Sequence, residues 1–424
     1  MTKTSSHENR ERIAPAPRHP AQTMTHIVHL TASVLPVSLL ILAYYVIRWD
    51  SVNSLVAAVD HSPLFQDFLG YYYPMGKIIL HASAPIYGYF YSAFSALLLA
   101  PLGVLDVTLA MCGWGIIQAI SATALYIFPL LGLVRLKPFE TALYTGVFLT
   151  SFPLLHNTKW GQMSVLLTAC VILAFHTYQK KRRVLTGILI AFAASVKYYP
   201  AIFILYFILK RDLDVCITFI IAVILFYIFF PALVMGPHSW ISFESARAAS
   251  MSNAEFAQDV NSQYFAHVIA RWSHIIFGTQ QPVQPTNHTL TFVSLVILAW
   301  HATLLWMIQN RKSQDQNMLA VVLLFLSLPF AIKTSWPHYL VYLPFCQIAI
   351  ITHVISDRHA SALWKTSILV LALLSIICSS VFAFDAFPHW FAYSASGMVF
   401  WANAILVVCF YLVAWKKVGM RTPA

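Results

Sequence analysis

Apolar runs of membrane-spanning length recur from Ile27 to Trp415, separated by short polar and mostly basic segments. A run of about 20 apolar residues is long enough to cross a hydrocarbon core of about 30 Å. The pattern predicts spans at 27–47, 108–133, 139–156, 162–178, 184–196, 199–209, 213–234, 289–309, 318–332, 339–355, 365–382 and 395–415, with a further apolar piece at 88–104. With no water in the bilayer to satisfy the backbone, segments of this length and composition are expected to be helical. The expected fold class is all-α: a polytopic integral membrane protein of about 12 transmembrane helices.

The polar segments organise the chain. Residues 1–25, with Lys3, Arg10, Arg12 and Arg18, read as a disordered cytoplasmic tail. An N-terminal membrane module follows at 26–234 and includes a first outer loop at 48–87. A second long loop covers 235–288, C-terminal membrane helices 289–416, and a short cytoplasmic tail 417–424. Basic residues in short loops stay on the cytoplasmic side. That rule places Arg135 with Lys137, Lys180 to Arg183, Lys210 with Arg211, Arg311 with Lys312, Arg358, and Lys416 with Lys417 inside. Both termini are then cytoplasmic, and the two long loops, the Asn157–Gln162 turn and the Ser335–His338 turn face out. The scheme closes if 88–104 is a re-entrant or interfacial helix; a full crossing with a misplaced Arg135 loop is the competing reading. Two short segments, 184–196 and 199–209, meet at Lys197 and Pro200. Irregular backbone at such depth belongs beside a protein-lined cavity, although a single kinked helix would share this sequence.

Composition narrows the class. Hydrophobic residues make up 59% of the 424 and charged residues 10%, which excludes an ordinary soluble domain. The net charge of +11 would suggest nucleic acid in a soluble chain. Here it sits between spans and is explained by orientation and anionic headgroups, so no nucleic-acid partner is expected. The first span lacks a small-residue cleavage site and reads as a retained helix. The six cysteines lie in apolar runs without metal-like spacing. Neither a P-loop, a GxGxxG turn nor a GxSxG elbow is found. An outward-facing enzyme without a nucleotide site needs a lipid-borne activated substrate.

The candidate chemistry begins at Asp67, in Gln66-Asp67-Phe68-Leu69-Gly70-Tyr71-Tyr72-Tyr73, one of only 15 acidic residues. A partly desolvated carboxylate beside the membrane has a raised pKa suited to accepting a proton; a helix cap or interfacial aspartate would occupy the same position. Asp60 reads instead as a turn residue. Lys197 offers a point charge to a phosphate, or snorkels at a helix end. In the Asn157–Gln162 turn, Gly161 lets backbone approach closely and Gln162 offers both donor and acceptor to a hydroxylated ligand. In the Lys333–Tyr339 turn, His338 can bond a sugar hydroxyl, a phosphate or the carboxylate. Arg247 and Arg271 are possible phosphate contacts, or solvated loop charges.

In order along the chain, Asp67-Phe68-x-x-Tyr71-Tyr72, Pro85-Ile86-Tyr87 before Tyr91, Ala100-Pro101-Leu102, Trp160-Gly161-Gln162, Gly187 through Lys197 and Pro200, Asn261-Ser262 with Arg271, and Ser335-Trp336-x-His338 resemble glycosyltransferase family 87. These stretches span most of residues 30–345; each is short, and their order carries the specificity. Two details depart from the family pattern: Tyr91 is followed by Ser92 rather than proline, and His338 is followed by Tyr339 where the family sometimes doubles the histidine. The resemblance implies a C-type membrane glycosyltransferase fold with two long extracytoplasmic loops, placed in a bacterial inner membrane with its active site outside. It implies an inverting transfer of a hexose, often mannose, from a polyprenyl-phosphate sugar donor to a glycolipid or glycan acceptor. Asp67 is then the catalytic base and His338 a second active-site residue. Lys197, with Arg271, meets the donor phosphate. Tyr71, Tyr72, Trp160, Gln162, Asn261 and Trp336 contact sugar or acceptor. No cofactor and no metal are called for. Two other classes fit the same charges: a lipid or solute transporter, which would use them as binding or coupling sites, and a non-catalytic scaffold, in which their removal would do little.

Overall fold

The computed structural model describes residues 20–47, 64–134, 136–251, 261–277, 288–310, 316–388 and 390–419. The first part of the first outer loop, 48–63, including Asp50 and Asp60, lies outside the described residues, as do Glu255, Asp259, Arg135, Arg311 and Lys312.

The described chain is helical throughout. Helix α1 is Pro20–Ile47, and a π-type turn at Phe68–Tyr72 leads into α2, Tyr73–Ile78. Next come α3 (Ala93–Gly103), α4 (Val107–Phe128), α5 (Pro138–Leu149), α6 (Phe152–Trp160), α7 (Ser164–Gln179) and α8 (Arg183–Val196). A 3₁₀ turn at Tyr199–Phe203 opens α9, Ile204–Leu209. Helix α10 (Leu213–Val223) runs through a π-type stretch into α11 (Phe230–Met235), followed by α12 (Pro237–Met251) and α13 (Phe265–Phe277). The C-terminal part holds α14 (His288–Gln309), α15 (Gln316–Ala331), a 3₁₀ turn at Pro337–Leu340, α16 (Leu343–Ser356), α17 (Ala362–Cys378), α18 (Val381–Asp385), α19 (Trp390–Ala395) and α20 (Met398–Gly419).

Five of the described helical stretches are long and apolar enough to cross a membrane unaided: Val107–Leu131, Leu213–Met235, His288–Gln309, Pro337–Ser356 and Ala392–Trp415. The outer ones show apolar side chains to their surroundings, as Ile217, Ile220, Ile221 and Leu225 do on the stretch from α10. Helices α15 and α16 are instead buried on nearly every face. An apolar exterior around such a centre marks an integral membrane protein.

Several expected spans are interrupted. The 139–156 run breaks after Leu149, where Pro153 cannot continue the hydrogen-bond ladder and starts α6 instead. The 365–382 run breaks after Cys378. The two breaks satisfy each other's backbone, Phe152 N donating to Ser379 O and Val381 N to Thr150 O, each at 2.8 Å. Helix α1 begins at Pro20, inside the 1–25 stretch expected as a tail, whose first 19 residues lie outside the described ones. The 88–104 piece forms the 11-residue α3. At 1.5 Å per residue that is about 16 Å, too short for a crossing.

At Lys197 the backbone is extended, with φ −147° and ψ 133°, so α8 ends there instead of bending into α9. The polar turn expected at Asn157–Gln162 is mostly helix: α6 continues to Trp160 and is stopped by Gly161 at φ +67°. Its Lys159 is buried, at 2% exposure.

Candidate active site

The pocket forms where interrupted elements meet. Phe68 anchors the first-loop turn by stacking on Trp114 of α4, with ring centroids 5.0 Å apart and planes 9° apart. Phe65 N donates to Lys159 O at 2.8 Å. These contacts set Asp67 beside the end of α6. There Gly161 is left-handed, and a Cβ on it would stand 3.0 Å from Phe65 Cβ and 3.1 Å from Trp114 Nε1. Only glycine satisfies both the conformation and the close approach. Trp114 Nε1 donates to Gly161 O and Gln118 Nε2 to Gln162 O, fixing the turn that presents the Gln162 amide.

Asp67, Tyr71, Tyr72, Trp160, Gln162, Asn261, Trp336 and His338 line one cavity of about 200 Å³, together with Gly88, Phe90, Tyr91 and His156. Eight of the ten site residues expected from sequence therefore share one space. Gln162 is its hub. Its Nε2 donates to Asp67 Oδ2, while its Oε1 accepts from Tyr72 Oη at 2.8 Å and Tyr91 Oη at 2.7 Å. Lys197 Nζ donates to Tyr91 Oη at 3.1 Å. The carboxylate and the amine, 130 positions apart in sequence, are thus joined through Gln162 and Tyr91.

Lys197 itself lines an adjoining cavity of about 210 Å³ that shares Phe90 with the first. Its ammonium stands 4.2 Å from the ring centres of both Tyr91 and Tyr339 and 5.8 Å from that of Trp336. Such faces favour the cationic form of the amine against the cost of its burial. Ser92 holds this arrangement in register: its Oγ donates to Ser195 O at 2.5 Å and accepts from Ser95 N at the start of α3. Departure from the family's proline at this position therefore supplies a helix cap. Arg247 also lines the second cavity, with its Nε 2.7 Å from Glu244 Oε2.

Arg271 is placed differently. It lines neither of these two cavities. Its Nε donates to Ala395 O at 3.1 Å and its Nη2 to Ser262 O at 2.6 Å, tying α13 to the chain beside α20. That loop, with Gln263 N donating to Ser335 O, brings Asn261 to the cavity.

Burial pushes the Asp67 carboxyl up to about 7, against the opposing pull of the Gln162 hydrogen bond and the Lys197 charge. A carboxylate with that value accepts a proton near neutrality far better than an exposed aspartate. Four of the lining residues, Gly88, Phe90, Tyr91 and His156, were not singled out from sequence as site residues. Tyr91 sat inside a quoted motif, whereas His156 lies in a run read as plain membrane span and gave no signal. Among the described residues no group of three or more His, Cys, Asp or Glu is placed to hold a metal ion.

An apolar-surfaced helical bundle with a half-buried carboxylate, a caged lysine and tyrosine hydroxyls around a small cavity defines an integral membrane protein with a polar pocket. More specifically, the chain belongs to glycosyltransferase family 87, whose model matches residues 89–331. Asp67 and His338 lie just outside the matched range. The chain is also 25% identical over 328 residues to a polyprenol-phosphate-mannose-dependent alpha-(1-2)-phosphatidylinositol pentamannoside mannosyltransferase of Mycobacterium tuberculosis (strain CDC 1551 / Oshkosh), covering 72% of this chain and 70% of that protein. No solved structure matches it.

Proposed function

We propose that this protein transfers a hexose, mannose in the first instance, from a polyprenyl-phosphate donor to a hydroxyl of a glycolipid or glycan acceptor. The carrying observation is the hydrogen-bonded line from Asp67 through Gln162 and Tyr91 to Lys197, along two adjoining cavities. The donor phosphate sits at Lys197, and the apolar walls supplied by Ala194, Val196, Phe219 and Val223 take the first part of its lipid. The hexose projects into the Asp67 cavity, whose volume suits one sugar ring better than the roughly 300–1,000 Å³ typical of drug-sized sites.

The reaction is a single displacement. Asp67 accepts the acceptor hydroxyl's proton as that oxygen bonds to C1. The bond from C1 to the phosphate oxygen breaks, its electron pair leaves with polyprenyl phosphate, and C1 inverts. Lys197 stabilises the negative charge that builds on the leaving phosphate. Gln162 holds the carboxylate in line. Mannose as the sugar is supported by the name of the mycobacterial relative. A C-type fold of about 12 crossings in a bacterial inner membrane, with cytoplasmic termini and an extracytoplasmic site, accords with the loop charges.

The test is Asp67→Asn in membranes supplied with labelled polyprenyl-phosphate mannose. Transfer to endogenous acceptors should fall about 10²–10⁴-fold, the usual contribution of a general base. Near-normal transfer would remove Asp67 from the chemistry.

A further inference from the structure

His156 and His338 form a buried imidazole pair on one wall of the Asp67 cavity. Their rings stack with centroids 5.3 Å apart and planes 19° apart. The two Nδ1 atoms are 3.4 Å apart, at the long end of hydrogen bonding. Two N–H groups cannot face each other in such a contact, so a hydrogen bond between the rings puts the proton on one Nδ1 and leaves the other as acceptor. The proton on His338 is therefore set by His156, and with it the state of the opposite nitrogen. That nitrogen, His338 Nε2, is buried and has no hydrogen-bond partner, as is Trp160 Nε1 in the same wall. Native structures rarely leave buried polar atoms unpaired unless a ligand completes them. His156 and Trp160 lie four apart on α6 and so share a face.

The neighbours of His338 say which ligand this is. Its ring is 5.7 Å from Trp336 and 5.0 Å from Tyr339, two of the rings around the Lys197 ammonium. A sugar carried on a phosphate at Lys197 therefore lies within reach of this wall.

We infer that the His156–His338 pair is a tautomer-fixed recognition element for hydroxyls of the donor hexose, with His338 Nε2 and Trp160 Nε1 making the contacts and His156 acting as a positioning residue. This rests on the donor assignment above. A recognition site that bonds hydroxyls rejects an analogue lacking one, because its own polar atoms are then stranded. Such discrimination separates this role from simple packing.

The experiment uses the full chain in lipid nanodiscs and needs no acceptor. Quenching of tryptophan fluorescence reports binding of polyprenyl phosphate, polyprenyl-phosphate mannose and the mono-deoxy analogues of the latter. The wild-type protein should bind at least one deoxy analogue about tenfold more weakly than the parent, as expected for one unmade hydrogen bond. In His156→Phe, which keeps the stacked ring and removes both nitrogens, the difference should shrink to within about twofold, while affinity for unsugared polyprenyl phosphate stays the same. His156→Asn returns a polar atom near the Nδ1 position and should recover part of the discrimination. Full discrimination in His156→Phe, or equal loss of affinity for sugared and unsugared lipid, would overturn the inference. Should His156→Phe fail to fold, His156→Leu, which also lacks both nitrogens, is read by the same comparison. Failure of the wild-type chain to bind any of the lipids would instead overturn the donor assignment itself.

Discussion

At the scale of single residues, the decisive feature is a carboxylate whose burial outweighs the help it receives. Gln162 and Lys197 both favour its charged form, yet desolvation dominates and lifts Asp67 to about 7. The sign sets the pH dependence of the proposed activity. A base must be deprotonated to act, so kcat/KM for transfer should rise as pH passes through about 7 and level off above it. A profile flat between pH 5 and 9 would place the base elsewhere or restore an ordinary aspartate. Asp67 was legible in the sequence because acids are rare in this chain and costly near a bilayer. His156 was not, because a histidine in an apolar run has no periodicity to betray its partner. The ring it faces lies 182 positions away.

At the scale of elements, the site is made by interruptions. Helices α6 and α8 stop short of a full crossing and present Gln162 and Lys197 at their ends, and the 3₁₀ turn that opens the Pro337–Ser356 stretch presents His338. The stop at Gly161 is the most exposed to test. Alanine there must adopt a left-handed φ and press on Phe65 and Trp114. Gly161→Ala should lower stability by about 1–3 kcal/mol and weaken transfer with it, as read by a thermal-shift assay in detergent. Gly70→Ala is the control: a Cβ there meets nothing within 4 Å, and stability should hold. Proline and glycine announced some of these breaks in the sequence. The break after Cys378 had no such signal, because it exists to pair its backbone with the break at Thr150.

Across the whole molecule, function and orientation sit at opposite ends of the same helices. Helix α7 starts beside Gln162 and ends beside Lys180; α8 starts at Arg183 and ends beside Lys197. With 16 and 14 residues they span about 24 Å and 21 Å. The proposed extracytoplasmic placement of the pocket rests on the basic cluster at the other end of these helices. Tyr87, 88% exposed beside the pocket's Gly88, is the place to probe this. In intact cells a membrane-impermeant maleimide should label Tyr87→Cys above the wild-type background, and Arg182→Cys only after permeabilisation. The reverse pattern would invert the proposed topology.

Sequence alone determined the helical class, the apolar exterior and the identity of most pocket residues, since hydrophobic run length and scarce charge are properties of a linear chain. Only the tertiary structure decided which charges meet, which turns are buried, and that Arg271 lies apart from the two cavities while Tyr91 and His156 line one of them. Hydrogen bonds and ring contacts over a hundred positions apart depend on how helices pack, and no local pattern encodes that packing.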